Sequence, residues 1–359
     1  MTPPATPTMT AADRAEADQA MADAFRTQAG WCRQNHVAPF TADLAEAFLR
    51  DFEAGGEWRR LLGGWPGNPI ADAAVLRAIG GAHRLALKGV EPFAAVFARL
   101  DRDPAALDEV ARAAAAWPEM PQWLQNPPQT NEVMRAAVFL PGFMLVARTQ
   151  GLPLRMLEMG CSGGLNLLWD RYRHQLGATA WGPEDSPVRL QPEWRGASPR
   201  PVELVVASRR GVDQLPVDLS DPEQRNRLLS YVWADQAERV ARVRGAQEIA
   251  RRDPPPVDRG DAADWVEAQL AELPQGQTTV LYHSYVWSYL PSATQARIRA
   301  ALSAAGERAD AGAGLAHLGF ESVDGTEKTA LTLTLWPTGE RRVLADAHPH
   351  GRWVHWLAD

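Results

Sequence analysis

Cysteine is scarce: two residues, Cys32 and Cys161, in a chain of 359. That count excludes a disulfide framework and a cysteine-built zinc quartet, and it suits a reducing cytoplasm. No apolar run approaches the roughly 20 residues that span a bilayer. The most apolar helical stretch, 139–147, is short and is interrupted by Pro141. The opening Met1-Thr-Pro-Pro-Ala-Thr-Pro-Thr8 has neither a basic start nor an apolar core, so it does not read as a signal peptide. A basic excess is missing too. The net charge of −7 removes any global attraction to nucleic acid or to anionic membranes. The arginines at 239–252 alternate with Glu238, Glu248 and Asp253, as on a solvated helix face. His348, His350 and His355 match no zinc spacing, so no metal is expected. There is no internal repeat. The remainder is 45% hydrophobic and 23% charged, which describes a folded protein long enough for two domains.

Residues 1–9 are rich in Pro and Thr and are expected to form a disordered tail. From 10 to 126 every periodic segment is helical. Residues 41–54 carry Leu44, Phe48, Leu49 and Phe52 at helical spacing and stop at Gly55-Gly56. Asp103-Pro104 is a helix start, with the Asp as N-cap and the Pro in the first turn. This all-α N-terminal domain could serve as a lid or as a homodimer surface, and the sequence does not choose. A second domain is expected over 127–359.

That domain is organised around Met156-Leu-Glu-Met-Gly-Cys-Ser-Gly-Gly-Leu-Asn166. An apolar strand over 152–157, a turn with Gly160, Gly163 and Gly164, and a helix over 165–173 make a cradle of the kind α/β sheets use for cofactors. Glycines let the backbone approach a ligand, and a helix N-terminus offers N–H groups. No Walker lysine follows, and the dinucleotide register G-x-G-x-x-G fails. Two more acids sit where such a sheet would use them. Gly211-Val-Asp-Gln-Leu-Pro216 follows an expected strand over 202–207 and offers Asp213. Gly260-Asp-Ala262 offers Asp261 before a helix over 263–271. The apolar run from 278 leads into Tyr282, His283, Tyr285 and Trp287. Upstream, Gln129, Asn131 and Glu132 belong to a polar run that begins a helix and either caps it or faces the cofactor or substrate.

Glu158-x-Gly160-x-Ser162-x-Gly164 resembles the first motif of class I S-adenosylmethionine-dependent methyltransferases, with Ser162 where the middle glycine is usual. The resemblance implies a Rossmann-like α/β sheet, mostly parallel, with seven strands and an antiparallel last strand. It implies S-adenosylmethionine as cofactor, held by Glu158, Gly160, Ser162, Gly163 and Gly164, by Asp213 at the ribose, and by Asp261 with Ala262 at the adenine. His283 would be the catalytic base. Gln129, Asn131, Glu132, Tyr282, Tyr285 and Trp287 would meet a small-molecule acceptor. The alternative is a methyltransferase fold without chemistry, acting as a binding or scaffold protein.

A wider resemblance covers the chain from about Phe25 to its end. It is carried by Pro127-Pro-Gln-Thr-Asn-Glu132, Leu157 to Asn166, Arg171-Tyr-Arg173, Leu228-Leu-Ser-Tyr-Val-Trp-Ala-Asp-Gln236, Arg259-Gly-Asp-Ala-Ala-Asp-Trp265, Tyr282-His-Ser284 and Pro349-His-Gly-Arg-Trp353. This ordered set resembles a bacterial family known as domain of unknown function 2332, which has no agreed activity to carry over.

Overall fold

The computed structural model describes residues 9–34, 38–323, 326 and 328–358. The tail expected at 1–9 lies, apart from Met9, outside the described residues. The chain forms two compact units. The first takes residues 1–130 and 222–241, the second 131–221 and 242–359. Periodicity alone places 222–241 with the second domain. Among the described residues no helix is long and apolar enough to cross a membrane.

The first unit is helical: α1 (Ala11–Arg33), α2 (Pro39–Glu53), α3 (Glu57–Leu62), α4 (Ala74–Leu87), α5 (Phe93–Arg99), α6 (Pro104–Ala115) and α7 (Met120–Leu124). Thr10 and Asp13 close a capping box on α1, and Asp103 caps α6 as its spacing suggests. Leu44, Phe48 and Phe52 of α2 are fully buried, and Phe48 stacks on Trp58 with ring centroids 4.7 Å apart. Ala38, which precedes α2, has no side chain to cap it. The cap comes from far along the chain. Asp235 accepts from the Phe40 and Thr41 N–H groups at 2.8 and 3.3 Å, and from the Thr41 hydroxyl at 2.7 Å. Tyr231 lies against Gly80, where a Cβ would meet its ring at 2.8 Å. These bonds explain why 222–241, which holds α9 (Pro222–Ser230) and the start of α10 (Ala237–Arg252), packs with the helices. Replacing Asp235 with Ala should destabilise this unit by about 2–3 kcal/mol, the usual scale for hydrogen bonds to a charged group. Asp235→Asn should recover much of that. Urea unfolding of the two variants checks the ranking, and equal midpoints would contradict the capping role.

The second unit is an α/β body with a nine-stranded, mostly parallel sheet among the described residues. Its strands are β1 (Leu154–Met159), β5 (Glu193–Arg195), β6 (Val206–Asp213), β7 (Val257–Arg259), β8 (Gln277–Ser284), β9 (Ala313–Ser322), β10 (Thr329–Trp336), β11 (Glu340–Ala347) and β12 (Trp353–Trp356). The order across the sheet is β5-β12-β11-β10-β9-β8-β1-β6-β7. The five strands from β7 to β9 run parallel. β10, β11 and β12 follow as an antiparallel meander, and β5 joins β12 in parallel. Two expectations are corrected here. The sheet has nine strands rather than seven, and antiparallel pairing begins three strands before its edge. Connections as short as 337–339 and 348–352 permit only antiparallel neighbours. The insertion expected over 181–200 adds an edge strand. It also helps build a small separate sheet from β2 (Arg173–Leu176), β3 (Thr179–Trp181) and β4 (Arg189–Leu190).

Helices cover both faces. On one face α8 (Arg135–Gln150) packs on β9 and β10, with Gly142 seated on Leu318. On the other, α11 (Ala262–Leu270) and α12 (Ser292–Gly306) share a core with Leu157, Met159, Leu281 and Leu315. The strand expected over 202–207 lies later, as β6, and takes in two arginines. Each has a partner: Arg209 pairs with Asp170 at 2.6 Å and Arg210 with Asp258 at 2.5 Å. That shift puts Asp213 at the strand's last position rather than beyond it.

Candidate functional site

β1 lies between β6 and β8 and runs parallel to both. The chain builds outward from β1 on one side to β6 and β7, then on the other to β8 and β9. Loops leaving β1 therefore diverge, and this is the switch point at which sheets of this kind place a ligand, at the carboxyl ends of the strands. The turn after Met159 stands there. Gly160, Ser162 and Gly164 all take left-handed backbone, at φ 68°, 54° and 72°. Gly160 and Cys161 both donate to the Val212 carbonyl, at 2.8 and 3.2 Å. Asp213 braces the turn: its Oδ2 accepts from the Ser162 N–H at 2.8 Å and its Oδ1 from the Leu215 N–H at 2.9 Å. For a serine, left-handed backbone costs about 1–2 kcal/mol. A charge-assisted bond to its N–H is of the size to offset that.

The expected helix over 165–173 is not an α-helix. Leu165–Arg171 is a 3₁₀ segment with a break at Leu168, and the chain then enters β2. Arg209 donates to the Leu167 carbonyl at 2.6 Å and grips Asp170, which holds this short path. The N–H array that a long helix would offer is therefore missing from this turn.

Side chains alternate along β8, so Tyr282 and His283 point to opposite faces. Tyr282 faces α8 and lies beside Glu158, its partner in register. There a buried polar group has formed. Tyr282 Oη is 3.4 Å from Glu158 Oε2 and 3.3 Å from the Asn166 carbonyl. Asn131 donates to the Cys161 carbonyl at 2.7 Å, and Asn166 to the Glu132 carbonyl at 3.4 Å. Each amide nitrogen thus has an acceptor, while Asn131 Oδ1, Asn166 Oδ1 and Ser162 Oγ are buried without a hydrogen-bond partner among the described residues. Glu132 is 1% exposed, and its Oε2 lies 3.7 Å from His350 Nδ1. Arg135 donates to the Pro349 carbonyl at 3.0 Å and lies over the Tyr285 ring at 4.5 Å. Burial pushes the Glu158 carboxyl up to about 8, helped by the nearby Asp213 charge and opposed by the Tyr282 hydrogen bond and Arg135. At neutral pH it keeps its proton. Burial also pushes the Cys161 thiol well up, which makes it a poor nucleophile.

His283 lies on the face of α11 and α12, in a different setting. Its Nδ1 is 2.7 Å from Glu321 Oε1 and its Nε2 is 3.1 Å from His317 Nε2. The ring stacks on Trp287 at 5.3 Å. Both ring nitrogens are engaged inside the protein, an arrangement that suits a structural tie better than an acceptor-facing base. Glu321 Oε1 also accepts from the Val286 and Trp287 N–H groups, so this tie anchors the segment that follows β8. Val286 sits directly over Gly160, and Leu219 lies against Gly163.

The residues named from sequence therefore divide. Glu158, Gly160, Ser162, Gly163, Gly164, Asp213, Asn131, Glu132 and Tyr282 gather about the turn. Tyr285 is on the α8 side, packed by Arg135, whereas Trp287 goes with His283; the three aromatics do not form one pocket. Asp261 caps α11 and accepts from the Ala263 and Asp264 N–H groups at 2.8 and 3.2 Å, with Ala262 as the first helical residue. Gln129 belongs to the helical unit. Sequence reading missed Arg135, Asn166 and His350 as members of the polar group. Asn166 and the Pro-His-Gly turn were within quoted motifs, but nothing local marked their roles.

Two expectations follow. The unfolded Glu158 carboxyl releases its proton near 4.5 and the folded one near 8. The folded state thus binds the extra proton between those values, and stability falls as pH rises through that window. Glu158→Gln cannot ionise and avoids that loss. Its Tm should exceed that of the unmodified protein by a margin that widens from pH 5 to pH 8, on the order of a few degrees; a margin independent of pH would contradict the assignment. Gly160→Ala combines left-handed backbone with a clash on Val286 and should cost about 3 kcal/mol or more, read by denaturant unfolding.

No curated protein and no solved structure matches the chain. The family models do give a match, over residues 22–356, to DUF2332, described as an uncharacterised protein conserved in bacteria. With nearly its whole length covered, the chain belongs to that family.

Proposed function

We propose that the second unit is an S-adenosylmethionine-dependent methyltransferase acting on a small molecule. One observation carries the reading. Glu158, Asp213 and Asp261 stand at the carboxyl ends of three neighbouring strands, β1, β6 and β7, around a turn with three left-handed residues. The donor set fits the group. Asn131 Oδ1 and Asn166 Oδ1 are acceptors lacking a donor, which suits the ammonium of a methionine portion. Each oxygen of the Asp213 carboxylate has spent one lone pair on the turn and keeps another for a ribose hydroxyl. Asp261 has used Oδ1 on its helix, which leaves Oδ2 for an adenine amino group beside Ala262.

S-adenosylmethionine supplies an activated methyl group on sulfonium. The work left to the protein is positional: holding an acceptor in line and in a dry pocket yields most of the rate. Glu158, protonated at neutral pH, would add no second charge near Asp213. Val286 and Leu219 lie on the glycines, so they would have to move aside for the cofactor and could then exclude water. The same packing favours the second reading, a binding or scaffold protein that keeps the turn but performs no transfer.

Calorimetric titration with S-adenosylhomocysteine tests the proposal, with Asp261→Asn as the variant. Asparagine caps a helix as well as aspartate does, so Tm should hold while affinity drops roughly ten-fold or more, matching the ~1–3 kcal/mol cost of stranding a buried polar partner. Absence of binding by the folded, unmodified protein would overturn the methyltransferase reading. Binding without methyl transfer to any acceptor in a broad screen would favour the second.

A further inference from the structure

The segment that leaves β8 crosses the glycine turn at Val286, whose side chain stands where a Cβ on Gly160 would have to go. None of the residues from Ser284 to Leu290 is buried. Tyr289, at the end of a 3₁₀ turn over Trp287–Tyr289, is 79% exposed. A surface segment with few buried apolar contacts opens at less than the cost of global unfolding. Its base carries strain as well, since Tyr285 takes left-handed backbone at φ 54°. What holds the segment down comes from other elements. Val286 has no side-chain acceptor with which to cap the 3₁₀ turn. Glu321, near the end of β9, supplies one: its Oε1 accepts from the Val286 and Trp287 N–H groups at 3.0 and 3.1 Å. The same oxygen lies 2.7 Å from His283 Nδ1, which fixes the carboxylate in place. Gln295 of α12 donates to the Trp287 and Leu290 carbonyls at 2.9 and 3.1 Å. The Trp287 ring stacks on His283 and has the Arg299 guanidinium 4.9 Å from its centroid. Trp287 is thus a fixed point, and Glu321 sets where Val286, one residue before it, comes to rest.

We propose that this segment is a gate over the glycine turn and that Glu321 is its latch. With the latch made, Val286 covers Gly160 and keeps ligand off the turn; with it broken, the turn is open. The proposal rests on the reading of that turn as a cofactor site and adds how entry to it is controlled. Glu321 touches no ligand and acts through Val286, so it is a positioning residue. A ligand that needs the open form binds with its affinity scaled down by the fraction of open molecules. Weakening the latch therefore tightens binding, whereas loss of a residue that merely supports a pocket weakens it. That opposition of sign separates a gate from a structural prop.

The test joins stopped-flow and calorimetric binding of S-adenosylhomocysteine to the whole protein with hydrogen exchange of the Val286 and Trp287 amides in the absence of ligand. In Glu321→Ala those two amides should exchange about ten-fold faster while the β1 amides keep their protection, and the ligand should bind roughly ten-fold tighter through faster association. Glu321→Gln keeps an acceptor for both N–H groups and should lie near the unmodified protein in both readouts. Val286→Ala leaves the latch intact and trims the cover. It should tighten binding without speeding exchange, and it carries the test where Glu321→Ala fails to fold. Binding to the unmodified protein that neither alanine variant tightens, or unchanged exchange at Val286 and Trp287 in Glu321→Ala, would overturn the gate and leave the cofactor site standing. No binding by any of the four proteins would overturn the methyltransferase reading, and the gate with it.

Discussion

The Asp213 carboxylate is the constraint on which the geometry of the glycine turn depends. It ends β6, receives the Ser162 N–H from the neighbouring strand's turn, and takes the Leu215 N–H from its own. Without it, Ser162 would have little reason to stay in left-handed backbone. The turn would then no longer hold the Cys161 carbonyl toward Asn131, nor Asn166 toward Glu132. A register fact lies beneath this. β6 must include Arg209 and Arg210 for Asp213 to reach its position, and those arginines are tolerated only because Asp170 and Asp258 pair with them.

Parity along the strands then sorts the site. Glu158 and Tyr282 share a face with α8; His283 shares the opposite face with Trp287, His317 and Glu321. The first group is acceptor-rich and deeply buried, with Asn131 Oδ1, Asn166 Oδ1 and Ser162 Oγ lacking a partner among the described residues. The second is closed on itself, and its role is to anchor the segment that carries Val286 over Gly160. A buried polar group with unmet acceptors costs free energy, and a fold that keeps several together at the carboxyl end of a parallel sheet is expected to use them. The closed His283 group carries no comparable debt.

How much of this could be read in the sequence depended on range. Local patterns were legible. The alternation from Thr329 to Trp336 marks β10 residue for residue, Asp103-Pro marks the start of α6, and Gly-Asp-Ala marks the start of α11. Features set by distant partners were not. The cap on α2 is supplied by Asp235, nearly two hundred residues away. The arginine-bearing register of β6 needs carboxylates from two other segments. The 3₁₀ path after Gly164 depends on Arg209, and the polar group depends on Arg135 and His350 arriving from α8 and from the turn before β12. Tyr282 and His283 are adjacent in sequence, and the two-residue period of a strand sends them to opposite faces.

Hydrogen–deuterium exchange of the whole protein, with and without S-adenosylhomocysteine, tests the central claim most directly: that the braced turn and the ends of β6 and β7 form one ligand site. The account predicts added protection confined to peptides covering 158–166, 211–217 and 259–264, with release or re-protection of 285–290 as Val286 yields its place over Gly160. Unchanged exchange in all of these segments at saturating ligand, or protection appearing only elsewhere, would contradict it.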